Sequence, residues 1–304
     1  APVIQLGMTP ILCDSNMEDL SVDLNHLETI FKETKPEVLL LVSVLGLVPD
    51  MQKILDLCSE HNVILLEDTC ESMGSRYSDK KLGSFGLMSS FSTYFGHHIS
   101  TIEGGFVCTD DDELYEVLKS IRSHGWDRDS SEEYSNELRT KWKTSDFDSL
   151  YTFYHSGFNL RSTDLQAFIG LGQVDKLDEI CKKRNENFEI YQRELSDLKP
   201  HIPTRGFISS FAYPVIHQHR DAIVDRLQKA NIEVRPMICG SMGTQPFYVK
   251  KYGRNELPNV SEVDTYGFYV PNHPGLTEQD ILKITNIIKD VASTNFVDPY
   301  LQSR

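Results

Sequence analysis

The chain of 304 residues, with 39% hydrophobic and 10% aromatic residues, is long enough to bury one large domain and a smaller one. Its 30 Lys and Arg against 45 Asp and Glu give a net charge of −15, which argues against nucleic acid as a partner. The absence of a long apolar run and of a signal peptide predicts a cytoplasmic protein with no membrane partner. The six cysteines lack the close spacing of zinc or iron–sulfur ligands, so we expect no metal site.

The first two-thirds of the chain alternate apolar strands with amphipathic helices. Unbroken apolar runs at 38–44 and 63–66 predict buried strands, and apolar residues at helical spacing begin at Met51 between them. Residues 106–108 predict another strand, and the acidic run 110–113 predicts the start of the helix that follows. This alternation predicts an α/β fold with a mostly parallel sheet.

A polar segment separates this region from the rest of the chain. Residues 127–148 are charged and poor in aliphatic side chains, which predicts an exposed loop or insertion. One long helix is predicted to begin near Ser162 and Thr163 and to lead toward a second domain.

The C-terminal third predicts a smaller α+β unit. Strands are expected at 211–216 and 232–234, and a closing helix is expected to begin at Thr277, which has an acidic residue three positions later. We therefore expect two domains, 1–184 and 185–304.

Two stretches carry the candidate chemistry. Asp68 closes the apolar run at 63–66, and ligands of open α/β sheets bind beyond the carboxyl ends of such strands. A carboxylate there can hold a protonated ring nitrogen. The second stretch, residues 91–105, contains the pair His97-His98 and a Glu-Gly-Gly turn.

Residues 91–105 resemble the active-site loop of the sugar aminotransferase family that uses pyridoxal 5′-phosphate. The motifs His124-Gly125-Trp126, 157–161 and Arg235-Pro236 extend the resemblance over nearly the whole chain. It implies the α/β fold of aspartate aminotransferase with a small α+β domain. Family members have a lysine that forms an imine with the cofactor, but the matching residue here is His97, which cannot form a stable imine. The histidine version is similar to the branch that makes 3-deoxy sugars.

The resemblance implies a lyase, a nucleotide-sugar 3-dehydratase of deoxysugar and O-antigen biosynthesis. The enzyme would use pyridoxamine 5′-phosphate, formed from pyridoxal 5′-phosphate with glutamate as amino donor, to remove the C3 hydroxyl of a 4-keto-6-deoxy sugar. His97 would be the base. A nucleotide-sugar aminotransferase is a second hypothesis, against which the missing lysine argues. A truncated, non-catalytic homologue that binds a nucleotide sugar or a partner subunit is a third, because the 304 residues lack the N-terminal segment that carries the family's phosphate-binding loop.

The resemblance also implies roles for individual residues. Asp68 would hold the pyridine nitrogen, Glu71 would lie near the ring hydroxyl or the substrate, and Ser92 would bind the cofactor phosphate. Asn159 would reach the cofactor phosphate of a neighbouring subunit, so that a homodimer shares its active sites. His98 would either orient its neighbour or pack in the core. The candidates for the nucleotide phosphates or the sugar are Arg128, Arg161, Arg235 and His273.

Overall fold

The computed structural model describes residues 1–293. Its strands are β1 (Val38–Val42), β2 (Ile64–Asp68), β3 (Arg76–Tyr77), β4 (Lys80–Lys81), β5 (Met88–Ser92), β6 (Gly105–Cys108), β7 (Ala212–Ile216), β8 (Arg235–Pro236) and β9 (Gly267–Pro271). Its α-helices are α1 (Pro2–Gln5), α2 (Leu24–Thr34), α3 (Met51–His61), α4 (Asp112–Arg122), α5 (Glu132–Trp142), α6 (Asp146–Ser149), α7 (Asp164–Val174), α8 (Leu177–Glu194), α9 (Arg220–Lys229), α10 (Pro246–Tyr252), α11 (Pro258–Tyr266) and α12 (Glu278–Ala292).

The larger sheet has the strand order β1-β2-β5-β6. The first three strands are parallel and β6 is antiparallel, which confirms the expected mostly parallel sheet. The register places Val42, Asp68 and Ser90 side by side. The carboxyl ends of three strands therefore meet at one edge, where open α/β sheets bind their ligands.

Capped helices cover one face of this sheet. The Asp23 side chain accepts a hydrogen bond from the His26 amide and starts α2, and Asp50 caps α3 in the same way. Buried side chains of these two helices, such as Phe31 and Ile54, join Leu41 of β1 in the core. The strands were expected to be buried on both faces, but Val38, Leu40, Val42 and Ile64 on the opposite face are exposed. Within residues 1–293, the covering layer is incomplete on that face.

The polar segment 127–148 is not a loop, contrary to the sequence-based expectation. It contains α5, which begins at the Ser131 cap, has acidic residues in its first turn and basic residues in its last, and buries Leu138. Those charges complement the helix dipole, so a polar helix forms with few apolar contacts. The salt bridge from Arg139 to buried Asp127, at 2.8 Å, holds it in place. The sequence analysis missed this helix because it has too few apolar residues to show an apolar face.

Two other expected elements differ from the structure. The single long helix is divided into α7 and α8 by the turn at Asp175 and Lys176, which contains neither Gly nor Pro to signal a break. The strand expected at 232–234 lies at Arg235–Pro236 instead. Proline tolerates this position because β8 is an edge strand that pairs only with β9.

The C-terminal part has a three-stranded sheet of order β7-β9-β8. The helices α8 and α12 pack together beside it, and α12 begins with the expected capping box of Thr277 and Asp280. A single hydrophobic cluster joins this part to the larger sheet, with Leu41 and Ile284 among its members. The predicted domain boundary at residue 184 falls inside the continuous helix α8 and stays a prediction.

Candidate active site

A cavity of about 620 Å³ extends along β1 to the carboxyl end of β2. Asp68, Glu71 and His97 line one side of it, and residues 237–243 line another. The cavity also receives side chains from the N-terminal residues, including Ile11. The sheet edge thus brings together three of the residues that the sequence singled out.

The ring of His97 is held in one tautomer. Its Nδ1 lies 2.7 Å from the carbonyl oxygen of Cys70. A carbonyl oxygen can only accept, so Nδ1 carries the proton and Nε2 keeps its lone pair. The ring packs against Phe211, with the centroids 5.2 Å apart. The geometry therefore presents His97 with a fixed ring plane and an unprotonated nitrogen.

The surroundings of His97 favour its neutral form. Burial lowers the pKa of the imidazole, the bond to Cys70 opposes that change, and the buried Arg184 guanidinium lowers the pKa further. A neutral imidazole is the form that can accept a proton. His97 is accordingly suited to act as a base near neutral pH.

The two carboxylates of the cavity are held differently. Asp68 is the last residue of β2 and accepts a hydrogen bond from the Cys70 amide at 3.1 Å. Glu71 accepts one from the Leu45 amide at 2.6 Å. Burial raises the pKa of Glu71, and the Leu45 bond opposes that rise. Asp68 is thus fixed by the strand end, whereas Glu71 is fixed by a loop that comes from a distant part of the sequence.

Sequence reasoning missed a buried carboxylate beside Asp68. Glu67 points away from that residue and accepts hydrogen bonds from the amides of Gly83, Phe85 and Gly86, each at 2.7 Å. These bonds tie the turn before β5 to β2. The available signal was strand alternation, which places Glu67 and Asp68 on opposite faces.

His98 turns away from the cavity into the core. Its Nε2 lies 2.9 Å from both the carbonyl oxygen and the hydroxyl of Ser209. Burial lowers its pKa to about 3, so the ring is neutral. Of the two roles left open by the sequence, the structure shows the packed one, and the bond to Ser209 anchors the loop that carries His97.

A second group of candidate residues gathers around Trp126. The guanidinium of Arg128 lies 3.8 Å from the Trp126 ring centroid, and that of Arg161 lies 5.6 Å from it. Arg128 also donates to the Leu150 carbonyl. Asn159 is exposed on the adjacent segment, where it forms a β-bridge with Ser123. Two exposed cations thus share one aromatic surface.

The close approach behind that surface depends on a glycine. Gly125 has φ +90°, and a Cβ there would lie 1.8 Å from the carbonyl oxygen of His155. Only glycine leaves room for the segment 153–161 to pack against the turn before Trp126. The glycine of the His-Gly-Trp motif is therefore required for this packing, which places Trp126 next to Arg128 and Arg161.

The remaining candidates lie elsewhere. Ser92 ends β5 and its hydroxyl accepts from the Tyr94 amide at 3.2 Å. Arg235 is exposed on the edge strand β8 and pairs with Glu233. His273 is exposed, and its Nδ1 accepts from the Gly275 amide at 3.2 Å. These three side chains are outside the described lining of the cavity.

Within residues 1–293, we find no cluster of three or more His, Cys, Asp or Glu side chains arranged to hold a metal ion. The helices in the same range are too short or too polar to cross a membrane.

Residues 1–289 match the DegT/DnrJ/EryC1/StrS aminotransferase family. The chain belongs to this family. The resemblance stated from the motifs is therefore confirmed, and it extends over the larger sheet and the C-terminal three-stranded sheet.

Several similar proteins belong to the 3-dehydratase branch of this family. The chain is 32% identical over 299 residues to GDP-4-keto-6-deoxy-D-mannose 3-dehydratase of Yersinia pseudotuberculosis, covering 95% of this chain and 75% of that protein. The Escherichia coli GDP-4-keto-6-deoxy-D-mannose-3-dehydratase with bound hydrated PLP superposes with a TM-score of 0.85 at 29% identity, covering 95% of this chain and 76% of that one.

A further structure of GDP-4-keto-6-deoxymannose-3-dehydratase holds a trapped PLP-glutamate geminal diamine. It superposes with a TM-score of 0.83 at 29% identity, covering 95% of this chain and 76% of that one. These similarities confirm the expected aminotransferase-like fold and the expected 3-dehydratase branch.

Proposed function

We propose that this chain is a pyridoxal-phosphate-dependent lyase that removes the C3 hydroxyl of GDP-4-keto-6-deoxymannose, with glutamate as the amino donor. The observation that carries the proposal is His97, which stands at the family's lysine position with its Nε2 unprotonated at the cavity. The relatives of the same branch support the choice of substrate. The cytoplasmic location expected from the sequence belongs to the same proposal.

The residues of the cavity fit the cofactor. Asp68 offers a carboxylate at the strand end for a protonated pyridine nitrogen, and half-buried Glu71 supplies a second polar group in the same cavity. A space of about 620 Å³ is within the usual size range of small-molecule pockets. Ser92, and Asn159 from a second subunit, remain the proposed contacts to the phosphate.

The protein's part in the reaction is to orient and to move protons. When bound, the cofactor supplies an amino group for the sugar ketone and a ring that accepts electrons. Asp68 would hold the ring nitrogen in its protonated form, and the ring would then accept electrons more readily. His97 Nε2 would take the proton that must leave carbon before the C3 hydroxyl can depart. Because an imidazole does not trap the cofactor covalently, the nitrogen stays available as a base.

The overall stoichiometry balances without another reductant. For each sugar that loses its C3 oxygen, one glutamate becomes 2-oxoglutarate and one ammonia is released. The ketone at C4 is present before and after the reaction. An aminotransferase would instead leave the nitrogen on the sugar, and would release no ammonia.

We also propose that the active enzyme is a homodimer. The helix α7 buries none of its side chains, and Leu165, Phe168 and Leu171 on it are 67%, 75% and 72% exposed. Exposed apolar surface of this kind marks interaction sites. Asn159 and Arg161 lie immediately before this helix, so a second copy docked on it comes close to both. Arg128 and Arg161 then become candidates for the GDP phosphates of the partner's site.

The test is an assay of the purified protein with pyridoxal phosphate, glutamate and GDP-4-keto-6-deoxymannose. We expect a 3-deoxy product by NMR, with ammonia and 2-oxoglutarate formed in equal amounts. A 4-amino sugar without ammonia would establish the aminotransferase hypothesis instead. Binding of the nucleotide sugar without turnover would support the non-catalytic hypothesis.

A further inference from the structure

Arg184 is a buried cation that has no carboxylate partner among residues 1–293. It lies on α8 and is 4% exposed. Its Nη1 donates to the carbonyl oxygens of Ser210 at 3.2 Å and Phe211 at 3.0 Å, and also to that of Asn272. Burial lowers its pKa to about 10, so the guanidinium is still charged at neutral pH. Within residues 1–293, only backbone carbonyls compensate this charge.

Burying a charged side chain without an acidic partner reduces the stability of the fold. Buried arginines are nearly always paired with acids, because removing a charge from water is expensive. Carbonyl oxygens recover part of that cost through charge-assisted hydrogen bonds. An apolar residue in α8 would avoid the cost altogether. The position of Arg184 therefore needs a reason beyond the stability of the core.

The backbone that Arg184 holds contacts the active site at three points. The Phe211 ring packs on His97, and Ser209 bonds to His98, the residue that anchors the loop. The Phe211 amide donates to the Leu45 carbonyl at 2.8 Å. The Leu45 amide in turn donates to Glu71. Movement of the segment 209–211 would thus be transmitted to His97 and to Glu71.

Other residues of α8 and the end of β9 strengthen the same connection. The Asn272 amide group donates to the Arg184 carbonyl at 2.9 Å and to the Ser210 hydroxyl at 2.7 Å. Asn187 donates to the Asn272 side chain at 3.1 Å. All of these groups are buried. The helix α8, the end of β9 and the segment 209–211 are joined in one polar network around the guanidinium.

The charge of Arg184 also reaches the imidazole. Burial is the main reason that the pKa of His97 is lowered; the charge of Arg184 lowers it further, whereas the Asp68 carboxylate raises it. The titratable or charged groups that face or adjoin His97 are Asp68, Cys70, Glu71, Tyr94, His98 and Arg184. Arg184 is the cation in this set, so its removal is expected to move the pKa of His97 upward.

We propose that Arg184 is a positioning residue for His97: its guanidinium holds the segment 209–211, whose Phe211 ring packs on the imidazole. The catalytic part of this inference rests on the proposed dehydratase function. The structural part does not, because it concerns the ring of His97 in the protein alone.

Two substitutions test the contacts and the charge of Arg184. Arg184→Lys keeps a cation on α8, but its shorter, unforked side chain does not bring a nitrogen to the position from which Nη1 donates to all three carbonyls. We expect its His97 pKa to stay at the wild-type value, while kcat falls on the order of 10- to 100-fold with KM unchanged, because a small displacement of a catalytic group is costly. Arg184→Gln removes the charge as well. We expect the same loss of kcat and, in addition, a raised pKa of His97.

The matched control is Tyr191→Phe. Tyr191 is also buried on α8 and donates to the Pro271 carbonyl at 2.9 Å, but it carries no charge and has no contact with the segment 209–211 in the hydrogen-bond network. Its loss removes one buried hydrogen bond of similar kind. We expect Tyr191→Phe to leave both the pKa of His97 and kcat near the wild-type values.

The measurement is an NMR titration of histidine-labelled protein without cofactor, with the His97 resonance assigned by His97→Asn. It needs no turnover, so it tests Arg184 even if the dehydratase assay fails. The proposal is overturned if the His97 resonances of Arg184→Gln and Arg184→Lys stay at their wild-type positions, as we expect for Tyr191→Phe. If Arg184→Gln does not fold, Arg184→Lys alone decides: a displaced His97 resonance supports the proposal, and a wild-type resonance overturns it.

Discussion

The cavity around His97 and the surface around Trp126 are organised in opposite ways. In the cavity, His97 and Glu71 are held by backbone groups of the same chain. Around Trp126, Arg128 and Arg161 are exposed, and the neighbouring helix α7 has no buried side chain. The contrast indicates that the groups proposed to move protons are fixed within one chain. The groups proposed to bind the nucleotide lie where a second chain can complete the site.

The largest expected effect tests the cavity. His97→Asn removes the base, while its amide can still donate to the Cys70 carbonyl. We expect kcat of the dehydratase reaction to fall by roughly 10²–10⁴-fold, with cofactor binding unchanged, since general bases contribute about that much. The control is His201→Asn, which changes an exposed histidine. Equal solvent-deuterium exchange at the cofactor methylene in wild type and His97→Asn would show that His97 is not the base.

The next prediction tests the open surface. Phe168→Asp places a charge at the centre of the proposed dimer contact. Burying one phenylalanine contributes about 1.5–3 kcal/mol, and a symmetric dimer buries it twice, so the dimer Kd should rise at least about 100-fold. Sedimentation velocity measures the change. The control is Tyr115→Asp. Tyr115 is also an exposed aromatic residue, but it lies on α4, so this substitution should leave the assembly intact. A wild-type protein that is monomeric at micromolar concentration would refute the dimer.

A smaller effect is expected for the nucleotide contact. Arg128→Ala should raise KM for the GDP-sugar about tenfold and leave kcat nearly unchanged, because a hydrogen bond to a charged group contributes roughly 1.5–3 kcal/mol. Arg193→Ala, which removes an exposed arginine paired with Glu194, should change neither value. A fall in kcat with unchanged KM would place Arg128 in the chemical step and weaken the contrast between the two regions.

The smallest expected effect is a displaced pH profile. Only neutral His97 can take a proton, and burial lowers its pKa from the usual 6.5. The neutral form therefore persists below pH 6.5, and activity is lost only as the pH falls through the lowered pKa. We expect the acid limb of kcat/KM to lie below 6.5 and to disappear from the residual activity of His97→Asn. A limb at or above 6.5 would mean that the imidazole is not desolvated during turnover.

Helices with an apolar face were predictable from the sequence, and polar ones were not. The closing helix α12 was predicted from Thr277 and the spacing of its isoleucines, because residues within this one segment form both the cap and the buried face. The helix α5 was missed because a charged segment with few apolar residues is typical of a loop. The salt bridge between Asp127 and Arg139 that fixes this helix is seen only in the structure. The site residues divide in the same way: Asp68 and His97, singled out from the sequence, line the cavity and stay predictions as functional residues, whereas Glu67 was missed.

The sequence by itself determined the mostly parallel α/β sheet, the carboxylate at the end of β2 and a histidine where the family resemblance implies a lysine. Those features depend on periodicity and on residue identity at one place in the chain. The tertiary structure decided which nitrogen of His97 is free, because Cys70 lies 27 residues away. It also decided that Arg184 meets Asn272, 88 residues away, and that Trp126 gathers two arginines. Contacts between distant residues form only when the chain has folded, so no local pattern could reveal them.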